Sequence, residues 1–471
     1  MIKWIVLAAV CLASPAYADP TLDAKDVLTS SLDHFPEILK AAQELAASEA
    51  RIRNAEGAFD ASIEQRLSSR PNGFYDGKQA DTRLVKPLPF MNTRLYGGYR
   101  VSDGTFPIYD DKLITNSGGE YLFGMQMSLL RDSLIDERRL RLYNNQLSRD
   151  VADIDMLLTK VAIQHDALYH YWQWMAAGHV RNVYQSLLDI AQERQSALRQ
   201  RVKKGDTAEI YLTENQQYLL KRQAQLNDAD RAFHVRANEL SLYLRTGDGT
   251  PSVPQAGQLP QKFPPVLTSY TRESMLKALD RRPELQKIHQ QITARQNDAE
   301  YGENMQLPKA DVSVEMSDDG GRGSLSRAPY ETTVMLNVSI PLQKRLGQGR
   351  VQEAKANIRK LEYEKQFLME KLKVELENAL TNLENSRQYV ELTAQEITMA
   401  KTMQVAERTR FENGDSDFFI LNMREERMAE AQVKHIEANQ QFQVALAHLY
   451  ALTLDYQNLY MQSAVSAEAQ M

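Results

Sequence analysis

Arg199-Gln200-Arg201-Val202-Lys203-Lys204-Gly205-Asp206-Thr207 is written a second time as Arg408-Thr409-Arg410-Phe411-Glu412-Asn413-Gly414-Asp415-Ser416, 209 residues later. A second echo flanks it. Leu32-Asp33-His34-Phe35-Pro36-Glu37-Ile38 returns as Leu279-Asp280-Arg281-Arg282-Pro283-Glu284-Leu285, 247 residues later. Similarity at so long a period means two copies of one supersecondary unit, and the fold is read from that unit.

Outward from Gly414, the chain is helical on both sides. Residues 350–413 hold no glycine and no proline, and 64 helical residues extend about 95 Å at 1.5 Å each. Gly414 breaks this helix, and a return helix is expected over 416–454. The first copy reads the same way, with a long helix over 132–204, a break at Gly205 and a return helix over 206–245. Asp206 and Glu209 have capping-box spacing at the start of that return helix. The long helices carry coiled-coil seams. Leu147, Val151, Ile154, Leu158, Val161, His165, Leu168, Trp172 and Met175 alternate in steps of four and three. Met428, Ala431, His435, Ala438, Phe442, Ala445, Leu449 and Leu452 do likewise. A 3.5-residue repeat turns such a seam toward a partner helix. Helix 350–413 has two partial seams, Leu376-Leu380-Leu383-Val390-Ile397 and Leu361-Leu368-Leu372, which calls for neighbours on both sides.

Upstream of each long helix the period changes to two. Val312, Val314 and Met316 alternate with Asp311, Ser313 and Glu315, and Val334, Leu336, Val338 and Ile340 form a second alternating run. Strands are therefore expected within 310–341, with a loop at 317–323. In the first copy, strand patterning falls within 60–130, at 63–67, 82–88, 95–101 and 123–129. A helix precedes the strands in each copy, at 36–58 and from 271 to about 305. Five prolines and three glycines crowd 246–265. The chain thus divides into a first repeat over 19–245, a linker over 246–270, a second repeat over 271–455 and a tail over 456–471.

Residues 1–18 read as a secretory signal peptide: Lys3, an apolar stretch from Trp4 to Leu12, and Ala16-Tyr17-Ala18 ahead of Asp19. Val10 before Cys11 does not fit a lipoprotein box. Cys11 is the single cysteine, so a chain cleaved after Ala18 has no disulfide and no thiolate metal site. The formal net charge of −6 and the lack of any basic block argue against nucleic acid. Beyond residue 18 no apolar run is long enough to span a bilayer as a helix. A chain of this kind enters a membrane only as a closed β-barrel.

These residues resemble the outer-membrane efflux protein family, the TolC family. Phe35-Pro36-Glu37 and Arg282-Pro283-Glu284 are similar to its Asn-Pro-Glu signature, with the asparagine replaced in both copies. Pro341-Leu342 followed by Gly347-Gln348-Gly349-Arg350 resembles its strand-to-helix junction, and Leu129-Leu130-Arg131 is a weaker copy without the proline or the glycines. The resemblance implies a mixed fold of α-helical coiled coil and β-barrel with two internal repeats. Three copies form one outer-membrane β-barrel, continued by a long α-helical barrel in the periplasm. Four strands per copy would make twelve; the segments at 82–88 and 95–101 are an additional hairpin, which either joins the barrel or lies in a loop. The implied partners are two further copies of the chain, outer-membrane lipid, a periplasmic adaptor protein and an inner-membrane pump. No cofactor, metal or enzymatic step is implied.

The tips are the candidate functional residues: Arg199, Arg201, Gly205, Asp206 and Thr207 in one copy, Arg408, Arg410, Gly414, Asp415 and Ser416 in the other. Basic residues suit a helix C-terminus, but the same Arg-x-Arg spacing in both copies asks for more. By resemblance these tips dock the helical hairpin of the adaptor. The acidic gate positions of some relatives fall on Tyr211 and Glu214 and on Ile420 and Met423, so the double acidic ring is absent. Glu209, Glu214 and Asp417 are the candidates for lining the narrow end.

Tyr169-His170-Tyr171-Trp172-Gln173-Trp174 reads as packing, because Trp172 lies on the seam. His165 and His435, also on seams, read as interhelical hydrogen-bond partners. Gly320-Gly321-Arg322-Gly323 lacks the Lys-Ser/Thr of a phosphate loop. Two readings remain open at this point, a passive exit duct for efflux or type I secretion and a periplasmic coiled-coil scaffold without a pore. Alternating strands favour the duct.

Overall fold

The computed structural model describes residues 21–107, 109, 113–266, 272–324 and 330–461. The expected signal peptide, Cys11 and most of the tail lie outside the described residues. The chain order is α1 (Ala24–His34), α2 (Pro36–Glu56), β1 (Ser62–Ser69), β2 (Lys78–Pro87), β3 (Arg94–Asp103), β4 (Glu120–Ser128), α3 (Glu137–Lys203), α4 (Ile210–Ser241), α5 (Arg272–Leu279), α6 (Pro283–Asn304), β5 (Lys309–Asp319), β6 (Glu331–Ser339), α7 (Arg345–Glu412) and α8 (Phe418–Thr453).

Two compact units emerge. One comprises residues 1–39, 159–279 and 373–471, and the other 40–158 and 280–372. The second unit holds all six strands. They form one antiparallel sheet in the order β1-β2-β3-β4-β5-β6. The additional hairpin β2–β3 therefore sits inside the sheet, between β1 and β4. The pleat sorts the side chains. Leu84 of β2, Tyr121 and Phe123 of β4, and Val334, Leu336 and Val338 of β6 share one face and are exposed. Glu64, Asp81, Arg83, Arg94, Arg100, Glu120 and Glu315 share the other. β5 runs through Asp319, so Ser317-Asp318-Asp319, expected as loop, extends the strand. Asp319 is held there because its carboxylate accepts the Asn116 backbone N–H at 2.8 Å. Every residue of the two edge strands, β1 and β6, is exposed.

Several helix boundaries depart from the sequence reading: α3 begins at Glu137 and not at 132, α4 begins at Ile210 and not at 206, and two further departures have plain local causes. A single helix was expected from 271 through Pro283; the chain breaks at residues 280–282 and α6 restarts with Pro283 as its first residue. Proline lacks the N–H of a helix interior and pushes the preceding residue to extended backbone; Arg282 has ψ 133°. Gly347-Gln348-Gly349 lies inside α7, which begins at Arg345. Gly347 and Gly302 permit a close crossing of α7 on α6. A Cβ at Gly347 would meet the Gly302 carbonyl oxygen at 2.6 Å.

The unit without strands is a helical bundle. Its core takes Leu28 from α1, Trp174 and Met175 from α3, Leu240 from α4, Leu376 from α7, and Phe442 and Leu449 from α8, each 1% exposed or less. The seams on α3 and α8 supply much of this. Trp172 packs on Phe263 at 6.2 Å and is 7% exposed. His435 meets the Thr393 hydroxyl across the α7–α8 pair at 2.9 Å, as a seam histidine should. Among the described residues no helix is long and apolar enough to cross a membrane.

Candidate functional site

Each tip is a helix terminus whose backbone closes in one way. Gly205 lies at φ +80° and Gly414 at φ +83°. The Gly205 N–H donates to the Val202 carbonyl at 3.0 Å and Asp206 N–H to the Arg201 carbonyl at 3.0 Å. Gly414 N–H donates to Phe411 at 3.1 Å and Asp415 N–H to Arg410 at 2.9 Å. This pair of bonds is a Schellman motif, which needs a left-handed residue at the glycine. The second arginine of each Arg-x-Arg supplies the carbonyl that anchors the turn. Arg199, Arg201, Arg408 and Arg410 all have exposed side chains. Arg410 Nη2 also donates to the Asp415 carbonyl at 3.2 Å, and Arg408 faces Glu412 at 3.6 Å.

The two tips differ beyond the glycine. Ser416 donates to the buried carboxylate of Glu407. Leu198 stands at the matching position of the first tip, and the Thr207 hydroxyl there is buried without a hydrogen-bond partner. Asp417 caps α8, its Oδ1 accepting the Ile420 N–H at 2.8 Å. In the first tip the expected capping box is not formed. Glu209, not Asp206, immediately precedes α4, with helical backbone (φ −60°, ψ −27°) and no side-chain cap. Asp206 is instead used by its backbone N–H in the Schellman turn. Of the gate candidates, Asp417 is thus a helix cap, Glu209 is exposed and Glu214 is half-buried; no contact brings the three together.

Between the two return helices lies a cluster that the sequence reading missed. Phe418, 2% exposed, sits within 6.4 Å of the rings of Tyr211, Tyr218 and Phe411, with the Arg194 guanidinium 5.4 Å from its centroid. Two helical turns along α8, Glu425 takes an ion pair from each of two arginines. Arg222 reaches its Oε2 at 3.0 Å and Arg194 its Oε1. Asn422 Oδ1 accepts from Arg194 at 2.8 Å and from Arg222 at 3.2 Å, and Arg222 also donates to the Leu187 carbonyl at 2.9 Å. Arg222 and Glu425 are each 3% exposed. Three helices, α3, α4 and α8, are tied at this point. Glu425 lies on the buried stripe three residues before Met428, but a charge on an apolar stripe does not reveal its partners.

The helical unit also half-buries four histidines. Burial holds His170, His179, His435 and His448 below the ordinary imidazole range, with the neighbouring His165 adding to the effect at His448. They are neutral in the fold and gain protons more readily when unfolded. Stability is therefore complete above the unfolded value near 6.5 and declines as pH falls toward the depressed folded values. The thermal midpoint is expected to drop between pH 7.5 and pH 5.5, followed by helical circular dichroism. A flat profile over that window refutes this assignment.

The geometry now bears comparison with known proteins. Residues 275–453 match the family model described as outer membrane efflux protein. No curated relative matches by sequence. The fold is similar to the MtrE outer membrane channel of Neisseria gonorrhoeae in its open state, at 11% identity over 96% of this chain and 97% of that one, TM-score 0.65. It is similar to the CmeC outer membrane channel of Campylobacter jejuni at 12% identity over 96% and 94%, TM-score 0.62. It is also similar to the outer membrane protein VceC of Vibrio cholerae at 12% identity over 91% and 96%, TM-score 0.61. The second half of the chain thus matches the outer membrane efflux protein family, and nearly its whole length has a fold similar to that of these outer membrane channels.

Proposed function

We propose that this chain is the outer-membrane exit duct of a tripartite efflux or type I secretion system. It extends into the periplasm, where a separate pump and adaptor deliver cargo. The observation that carries this is the sheet. One face is apolar and exposed, the other polar, and both edge strands are unpaired. In lipid an unpaired edge is untenable, because nothing there satisfies its N–H and C=O groups. Closure by further copies of the chain removes the edges, and three copies is the number the family resemblance implies. The helices support the same assembly. Tyr363, Phe367, Val374, Leu392, Met399 and Met403 leave a recurring apolar stripe exposed along α7, available to a neighbouring copy.

The tips are assigned to adaptor docking. Two matching Schellman turns, each with an exposed Arg-x-Arg, present the same backbone shape twice per chain. A scaffold without a pore needs no amphipathic sheet, and this disfavours the second reading. Purified protein is expected to size as a trimer in detergent and to conduct ions in planar bilayers. A monomer without conductance overturns the duct.

A further inference from the structure

We infer that the hairpin β2–β3 is part of the barrel wall, so that the closed channel has eighteen strands instead of twelve and a correspondingly wider, ion-pair-lined mouth. This rests on the trimeric duct proposed above and extends it.

The first argument is topological. β2 pairs with β1 along the full eight residues of β1, and β3 pairs with β4 over seven residue pairs, both antiparallel. A flap or plug would leave β1 free to pair with β4; here no such pairing exists. Six is an even number, so β1 and β6 run antiparallel. The β6 of one copy can therefore follow the β1 of the next with the alternation unbroken. A head-to-tail contact of this kind closes a ring.

The second argument is chemical. The hairpin is stitched into the polar face on both sides. Arg94 on β3 reaches over β2 to Glu64 on β1 at 2.8 Å. Tyr96 on β3 reaches over β4 and donates to Glu315 on β5 at 2.8 Å. β4 is shaped for that crossing, since a Cβ at Gly124 would lie 2.3 Å from the Tyr96 ring. Arg83 pairs with Asp81 at 2.8 Å and faces Glu315 at 3.9 Å. The opposite face of the hairpin offers Leu84, Leu95 and Val101 to lipid. A segment with a lipid-compatible face, a charged face and glycine-cleared crossings is a wall, not an appendage.

Barrel diameter grows about linearly with strand number, and walls of 16–18 strands leave an aqueous channel. Two variants test the assignment in planar bilayers. In the first, residues 70–103 are deleted, which joins β1 to the loop before β4 and keeps the strand parity. Trimers should form, with single-channel conductance reduced about twofold as the cross-section shrinks. In the second, Arg83→Gln with Arg94→Gln leaves the backbone intact and strips the counter-charges from Asp81, Glu64 and Glu315. The reversal potential in a salt gradient should move toward cation preference. If trimers conduct but the deletion leaves conductance at the wild-type level, the hairpin is outside the wall. The same conclusion follows if the double substitution leaves the reversal potential unmoved, even where the deletion variant fails to assemble. If the unaltered protein neither trimerises nor conducts, the duct reading itself fails.

Discussion

Glu425→Ala is expected to be the most destabilising single substitution in the helical unit, by about 3–5 kcal/mol. The reason is the charge it leaves behind. Arg194 and Arg222 converge on one carboxylate, and Arg222 is 3% exposed. Without Glu425 two guanidinium groups remain with neutral acceptors alone, Asn422 and the Leu187 carbonyl. Burying an uncompensated charge costs far more than losing a hydrogen bond. Glu425→Gln keeps the volume and an acceptor but not the charge, and should still lose a large part of the stability. Replacing all three together, Arg194→Met, Arg222→Met and Glu425→Leu, should recover most of it, because apolar residues of similar volume fill a buried ion site at little net cost. Denaturant midpoints of the four proteins decide the matter. Should Glu425→Ala melt within 1 kcal/mol of wild type (a bound taken well below the range for a broken buried ion pair), water reaches the cluster and it is not a dry ion site.

Gly205→Val combined with Gly414→Val is expected to abolish transport while leaving trimers intact. Both glycines occupy left-handed backbone, where a β-branched residue costs on the order of 1–2 kcal/mol. A Cβ at either position meets nothing within 4 Å, so the penalty is conformational and confined to the turn. The local response is loss of the Schellman bonds and a displaced Arg-x-Arg. The seams at Leu168, Trp172 and Met175 on α3 and at Phe442 and Leu449 on α8 are far along the chain from the turns and should hold. Transport assays and crosslinking of tip cysteines to the adaptor provide the readout. Wild-type crosslinking and transport in the double variant would reduce the tips to ordinary helix ends.

Residues whose role depends on spacing along one element were legible in the sequence. The seam residues at Leu168, Trp172, Phe442 and Leu449 are buried where their heptad period places them. The left-handed glycines follow from helix breaks within a repeated motif. The apolar faces of β5 and β6 follow from alternation. What escaped depends on meetings between distant segments. Glu425 finds Arg194 and Arg222 across 231 and 203 residues, and no local pattern encodes that. Whether β2–β3 enters the sheet is likewise decided by Tyr96 crossing Gly124, two positions that look unrelated in the chain. Asp206 and Glu209 have capping-box spacing, yet the backbone N–H of Asp206 is spent on the Schellman turn, so the local rule yields to the turn before it.

The unpaired edges of β1 and β6 also govern how such a protein comes into being. In the trimeric duct proposed above, a single copy has no resting place in the bilayer, since it would carry two rows of unsatisfied amides into hydrocarbon. Insertion and encounter are thereby coupled. The native state is a property of a population, and its apparent stability rises with the number of copies per area of membrane. Until copies meet, the same two edges are open templates for indiscriminate strand pairing, so fast, confined delivery to the membrane protects the chain as much as any contact inside it.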